Sequence, residues 1–364
     1  MNKISLNLFI IFFLLTACSF TVQAQEFLWQ KKLDSPVYQV SFDNNLSVAS
    51  QKEVIYFDRS GKLLKKLPLK DNQFAVLSKS TQVFAVITHR AQIKEVIEKT
   101  ELFNCEGELL STIEEKGFPF LSPDGNWLAV VDKFKNEIIF LNKEGKLLNR
   151  FQFDDIKGLN LAFSDDSSFL IVNIPNIKEG KTSGFLALFD KDGKKLWRYD
   201  HPGSTTGQVA VSQDAKIILF SSEKELYSLN NTGALNWKKP LSAGGILISL
   251  SPDSKYIALS RRQDNSISLL KSENGHLIWK QKLPGFDGYN SPFTSLNVTD
   301  EGLVVTAISK SWSLKNNESY LYFLKEKEIV SQLKFSQQKI NAMIKNNNIV
   351  VISQYDFTVY KTIY

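Results

Sequence analysis

The sequence predicts an all-β chain folded as an eight-bladed ring, a β-propeller of four-stranded blades. Three observations carry this. One hairpin-like unit recurs along the chain, the copies are spaced as propeller blades are, and the last copy lacks a strand that the first residues could supply.

The unit is an apolar run, a polar turn bearing a glycine, and a second apolar run. YFDRSGKLLKKL begins at Tyr56, LFNCEGELLSTI at Leu102 and FLNKEGKLLNRF at Phe140. LFDKDGKKLWRY follows from Leu188, YSLNNTGALNWK from Tyr227 and LLKSENGHLIWK from Leu269, with a worn copy, YFLKEKEIVSQL, at Tyr322. The turn glycines Gly61, Gly107, Gly145, Gly193, Gly233 and Gly275 are 46, 38, 48, 40 and 42 residues apart, the span of one four-stranded blade. Each glycine follows Asp, Asn, Ser, Thr or Glu and supplies the positive φ that a tight hairpin needs. The flanks are leucine, aromatic and β-branched residues in rough alternation, which suits half-buried strands.

A second signal precedes each hairpin. FLSPDGNWLAVV (120–131), LAFSDDSSFLIV (161–172), VAVSQDAKIILF (209–220) and ISLSPDSKYIALS (248–260) are each a strand, a polar turn and another strand. One unit therefore reads strand a, turn, strand b, connection, strand c, glycine turn, strand d. Seven full units lie between Val37 and Phe335. The chain then offers strand a at Ile340, b at Ile349 and c at Phe357, and stops at Tyr364. FLWQKKL (27–33) looks like an outgoing strand d with no strand c before it. It is expected to complete the eighth blade and close the ring, leaving no open edge between first and last blades. The alternative is seven blades with a loose C-terminal hairpin.

The start of the chain reads as a targeting segment. MNK followed by ISLNLFIIFFLL has the charge and length of a secretory signal and is too short for a spanning helix. Two processing sites compete. Val22-Gln23-Ala24 fits ordinary cleavage, and Leu15-Thr16-Ala17-Cys18 resembles a bacterial lipobox with Cys18 as the lipidation residue. Residues 1–24 are thus expected to be a signal peptide, or 1–17 in a lipoprotein, and residues 25–364 a single propeller domain. Serine behind a lipidated Cys18 resembles the outer-membrane sorting class. The expected address is the periplasm, with any membrane contact made through that anchor.

Composition excludes little else. A net charge of +6 over 364 residues is spread as interleaved Lys and Asp or Glu, with no basic arm for nucleic acid. Cys105 is the one cysteine outside the leader, so no internal disulfide is expected. It falls in a predicted turn and reads as an exposed thiol, whose replacement by serine should cost no more than about 0.5 kcal/mol.

Tryptophan four residues after the turn glycine, at Trp197, Trp237 and Trp279, is similar to the docking repeat of quinoprotein-like (PQQ-like) eight-bladed propellers. The SPDG and SPDS turns resemble WD40-like propellers. The resemblance spans nearly all of the chain after residue 24. It implies that these rings pack between neighbouring blades. Within the group, the export signal, size and blade count are similar to those of the propeller lipoprotein subunit of the outer-membrane β-barrel assembly machinery, a non-enzymatic scaffold. Quinoprotein dehydrogenases, by contrast, carry adjacent cysteines over the quinone and a calcium-binding Glu, Asn and Asp set. This chain has no Cys-Cys pair.

Catalytic patterns are not found. His89, His201 and His276 have no ligand-spaced partners, and no G-x-S-x-G elbow or phosphate loop occurs. Asp124, Asp165, Asp192 and Asp253 fall in turns, where carboxylates bond their own backbone. No catalytic residue, metal or cofactor is expected, and the chain is read as a non-enzyme.

Propeller geometry puts the a–b and c–d turns on one face and the b–c and d–a connections on the other. The first set is short and uniform. The second is long and uneven: His89, Arg90, Lys94 and Lys99 in blade two, NIPNIKEGKTSG in blade four, Trp312 in blade seven, and the connections YDHPGSTTG and LPGFDGYNSP. Long loops on a rigid scaffold tend to carry function. The expected function is a binding scaffold of the cell envelope that docks a protein partner on this face, with Arg90, His201, Phe286, Tyr289 and Trp312 as candidate contacts. The alternative is a small-molecule or catalytic propeller with its ligand in the central channel.

Overall fold

A computed structural model describes residues 25–90, 93–178, 181–202, 208–222, 225–241, 246–284, 293–310, 318–336, 339–345 and 347–362. The targeting segment, Cys18, Phe286, Tyr289 and Trp312 lie outside them. The strands form eight four-stranded antiparallel sheets. Blade one is β2–β5 (37–68), blade two β6–β9 (73–113), blade three β10–β13 (118–152) and blade four β14–β17 (160–202). Blade five is β18–β21 (209–240), blade six β22–β25 (246–282) and blade seven β26–β29 (293–335). Blade eight is β30–β32 (341–362) with β1 (Gln25–Lys32) as its outer strand, in the order β1-β32-β31-β30. Ring closure by the N-terminal strand is therefore observed, and the seven-bladed alternative is not.

The middle strands are buried on both sides, as in Trp127–Asp132 and Leu46–Ser50. That explains their near-continuous apolar composition, since each blade covers both faces of the next. Outer strands alternate between half-buried and exposed residues, as in Leu63–Pro68 and Leu235–Pro240. They carry Lys and a terminal Pro, which discourages pairing of the free edge with another sheet.

Neighbouring blades are latched at one repeated point. The residue four places after a turn glycine donates a hydrogen bond to a backbone carbonyl in the c–d turn of the next blade. Trp197 Nε1 donates to Asn231 O at 2.8 Å and Trp237 Nε1 to Ser272 O at 2.9 Å. Asn149 Nδ2 reaches Gly193 O at 2.9 Å, Ser111 Oγ reaches Lys143 O at 2.7 Å, and Lys65 Nζ donates to Glu106 O. Trp29 Nε1 of β1 makes the same bond to Arg59 O at 3.0 Å, latching blade eight to blade one. The turn glycines thus have a second reason to be glycine. A Cβ on Gly61, Gly233 or Gly275 would lie 2.6, 2.9 or 3.0 Å from the ring of Trp29, Trp197 or Trp237.

The a–b turns are held by their own side chains. Ser122 donates to Asp124 Oδ1 at 2.6 Å, and the Asn126 N–H donates to the same oxygen at 3.0 Å. Ser251, Asp253 and Lys255 repeat the pattern. In the turns of Asp165 and Asp192 it is instead Asp166 and Asp190 that accept the backbone N–H groups.

Cys105 occupies the predicted c–d turn but is half-buried, packed on the cluster containing Tyr56 and Phe84, so the expectation of an exposed thiol is corrected. Burial and the Glu106 carboxylate, 3.0 Å from its sulfur, push the thiol up to about 11. At pH 8 the thiolate is then scarce, and alkylation by iodoacetamide should be slower than for a model thiol by a factor on the order of 100. Because the sulfur packs against apolar neighbours, Cys105→Ser should cost about 1 kcal/mol. Alkylation at the model rate would show that the turn opens.

Candidate interaction faces of the ring

The uneven face differs from expectation in kind. In blade two, β7 (Val83–Arg90) and β8 (Ile93–Asn104) continue as paired strands well past the sheet, so His89 and Arg90 lie on strand. In blade four, NIPNIKEGKTSG is also a hairpin, with β15 (Phe169–Lys178) and β16 (Lys181–Asp190) paired down to Lys178↔Lys181. Two extended hairpins therefore flank blade three on this face.

Between them stands an aromatic surface. Phe134, in the b–c turn of blade three, is 80% exposed. Its N–H is fixed by Asp132 Oδ1 at 2.9 Å, and Lys133 and Lys135 on either side are exposed. Toward the ring centre, Phe74 stacks on His89 at 4.7 Å and on Phe118 at 5.8 Å. Tyr38 of blade one is 45% exposed, and its hydroxyl accepts the Ala75 N–H at 2.6 Å. On the far side, Phe153 stacks on Phe185 at 6.1 Å, and the Arg198 guanidinium lies 3.8 Å from the Phe185 ring centre. None of these aromatics was singled out in the sequence. Apart from Phe185, inside β16, each sits near a strand end or in a short turn, where local pattern does not reveal exposure.

His201 is placed differently from the surface connection the sequence implied. It lies on β17 (Lys195–Pro202), opposite Gly184, and is 3% exposed. Its ring packs on Phe220 of blade five at 5.0 Å. Burial lowers its pKa, with the Pro202 backbone and the Asp200 charge opposing. A cavity of about 400 Å³ adjoins it, walled by Ser183, Phe185, Arg198, Asp200 and Pro202.

On the opposite, uniform face, ion pairs link the turns of different blades. Lys79 Nζ of blade two reaches Asp165 Oδ1 of blade four at 2.7 Å, and Lys345 of blade eight reaches Asp43 of blade one at 2.9 Å. A cavity of about 400 Å³ there is lined from blades four to eight by groups including Gln213, Ser249, Asn297, Asp300 and Lys345. Burial and the nearby Asp253 charge raise Asp300, although it accepts the Asp253 N–H at 2.7 Å. Against the penalty of burial, hydrogen bonds from Lys255 and Ser251 hold Asp253 at about 2. Among the described residues no three His, Cys, Asp or Glu side chains converge as a metal site, and no helix is long and apolar enough to cross a membrane.

The family model described as outer membrane protein assembly factor BamB matches residues 182–310, from within blade four to within blade seven. BamB of Moraxella catarrhalis superposes with a TM-score of 0.65 at 12% identity, over 93% of this chain and 99% of that one. The C-terminal WD40 domain of Sif2 gives 0.65 at 14% identity, over 93% and 98%. The chain is an eight-bladed propeller whose fold is similar to those of BamB and WD40 propellers. A segment of 110 residues is also 34% identical to ER membrane protein complex subunit 1 of Xenopus laevis. That match spans 28% of this propeller and only 11% of the relative.

Proposed function

We propose that this propeller is a non-catalytic docking scaffold, exported to the cell envelope, that binds a protein partner across the uneven face of blades one to four. The observation that carries the reading is the exposed Phe134 standing between two extended hairpins, backed by stacked aromatics and exposed lysines. Clustered aromatic anchors with a polar rim are what protein interfaces use. The similar proteins, an assembly factor and a complex subunit by name, support a role in protein assembly. The signal-like residues 1–24 and the resemblance of Leu15-Thr16-Ala17-Cys18 to a lipobox support the envelope and a periplasmic site, with a lipid on Cys18 as the proposed means of membrane contact. Arg90, on β7, belongs to the proposed contact set, as do Phe286, Tyr289 and Trp312, which lie outside the described residues.

Site-specific photo-cross-linking in intact cells, with the captured protein identified, tests this. Phe134→Ala should reduce capture at least tenfold and leave the melting temperature within about 1 °C, since an exposed ring contributes little to folding. Trp312→Ala is expected to weaken capture as well. Lys143→Ala and Lys191→Ala, on the uniform turns, should leave capture unchanged. Loss of capture in the lysine variants alone would put the interface on the other face.

A second reading is favoured by one observation, the polar cavity that five blades build at the turn-face end of the channel. A small polar ligand held there would displace on Asn297→Leu, and titration calorimetry against a metabolite panel would reveal it.

A further inference from the structure

The outer rim of the ring carries a recurring pair of apolar residues. They stand two and three places after a turn glycine, just before the latch position. Leu63 and Leu64 of blade one and Leu109 and Leu110 of blade two are such pairs, and all four are exposed. In blade eight, where β1 supplies the outer strand, Phe27 and Leu28 hold these places, with Phe27 58% exposed. A regular strand would turn one of two neighbours inward. Here the register shifts between Phe27 and Trp29, and again between Leu63 and Lys65 opposite Phe57 and Tyr56. Leu28 and Leu64 are therefore the extra residues of a bulge, and both members of each pair stay outside.

Two of the pairs form one patch. The Trp29 latch to Arg59 O holds the start of β1 against the c–d turn of blade one, with the bare Gly61 backbone against the indole. Phe27 and Leu28 thus neighbour Leu63 and Leu64 on the turn-side rim. Exposed Lys31, Lys32, Lys62 and Lys66 border them. The carboxylates beside them are Glu26, on β1, and Glu53, which pairs with Lys66 at 3.3 Å. Blade two has the same leucines in an acidic border of Glu106, Glu108, Glu114 and Glu115.

The chain that enters at this point indicates what covers the patch. Cys18 precedes Gln25 by seven residues, which reach at most about 25 Å. A lipid on Cys18 would hold the start of β1, and the patch with it, within that distance of a bilayer. Exposed phenylalanine and leucine bordered by lysines suit a lipid interface. The apolar groups enter the headgroup boundary and the long lysine side chains lift their charges to the phosphates. The acidic border of blade two would be repelled by the same surface.

We propose that the rim of blades eight and one rests on the membrane, with Phe27, Leu28, Leu63 and Leu64 in the interface and the lysines on anionic headgroups. The ring axis is then tilted to the bilayer, and the uneven face points away from it, open to a partner. This rests on the lipid anchor at Cys18. The test is photo-cross-linking to lipid in intact cells, with benzoylphenylalanine at position 27, 64, 109 or 235 of the full chain and adducts identified by mass spectrometry. All four positions are exposed, and the melting temperature of each labelled chain checks its fold. Leu235 belongs to blade five, across the ring from blade one.

Lipid adducts at 27 and 64 should exceed those at 109 and 235 by at least about tenfold, with anionic headgroups enriched over their share of the bulk lipid. Equal yields at 64 and 235 would overturn the proposal, since the rim of blade one would then have no preference for the bilayer. No adduct at 27 and 64, or headgroups in bulk proportion, would overturn it too. The mass of the mature chain reports the anchor separately. Adducts at 27 and 64 on a chain without acyl groups would sink the anchor and leave the patch standing. An acylated chain without those adducts would sink the patch alone.

Discussion

Deleting Gln25–Lys32 is expected to destabilise the entire ring, not one blade of it. The strand runs on into blade one and pairs with β32 of blade eight from Gln25↔Thr362 to Lys32↔Asp356, so its hydrogen bonds join the two ends of the chain. Trp29 is its anchor, with its ring 6.0 Å from Phe57 of blade one and 5.7 Å from Phe357 of blade eight. Removing a packed aromatic ring of this kind alone costs about 3–5 kcal/mol. The deletion adds an open edge at β32 and removes the Trp29 latch to Arg59. The total exceeds much of the stability a domain of this kind has to lose. The deleted chain should melt at least 10 °C lower, and a synthetic peptide of residues 25–33 added in excess should restore part of that. Equal melting temperatures for the parent and the deleted chain would show that blade one and blade eight hold together without the closing strand.

The ring was legible because its signals are local and repeated. A glycine with positive φ, a Ser-x-Asp turn and alternating apolar residues are each fixed within a dozen residues, and the repetition gives the blade count. The extended hairpins were not legible. NIPNIKEGKTSG carries Pro175 and a run of polar residues, both of which read as loop. Yet Pro175 sits opposite Gly184, which β17 still flanks, and the pairs Ile177↔Thr182 and Lys178↔Lys181 project past the sheet, where polar side chains are no obstacle. Pro202 misled in the same way, since the last residue of an outer strand tolerates proline. The latch was hidden for a different reason. Blades one to three fill the position with Lys65, Ser111 and Asn149 where later blades have tryptophan, so what they share is a donor group and not a residue type. Phe134 in the short turn KFKN is a matter of tertiary exposure, which no periodicity reports.

Replacing Gly233 by alanine should be strongly damaging for a one-carbon change, and its cost should split into two measurable parts. The first is conformational. Gly233 has φ +82°, a left-handed conformation that costs an L-residue about 1–2 kcal/mol. The second is steric. The new methyl would lie 2.9 Å from the Trp197 ring, which cannot swing away without losing its 2.8 Å bond to Asn231 O and its packing beside Tyr227 and Phe220. Forcing a methyl into such a contact costs about 1–3 kcal/mol. The sum for Gly233→Ala is then about 2–5 kcal/mol in denaturant unfolding. Trp197→Ala alone should cost about 3 kcal/mol through the lost ring. In the double variant the methyl meets no ring, and only the conformational part should remain, so the two changes should be sub-additive by about 1–3 kcal/mol. Strict additivity would mean that the indole does not press on the glycine, and that the turn needs glycine for its backbone alone.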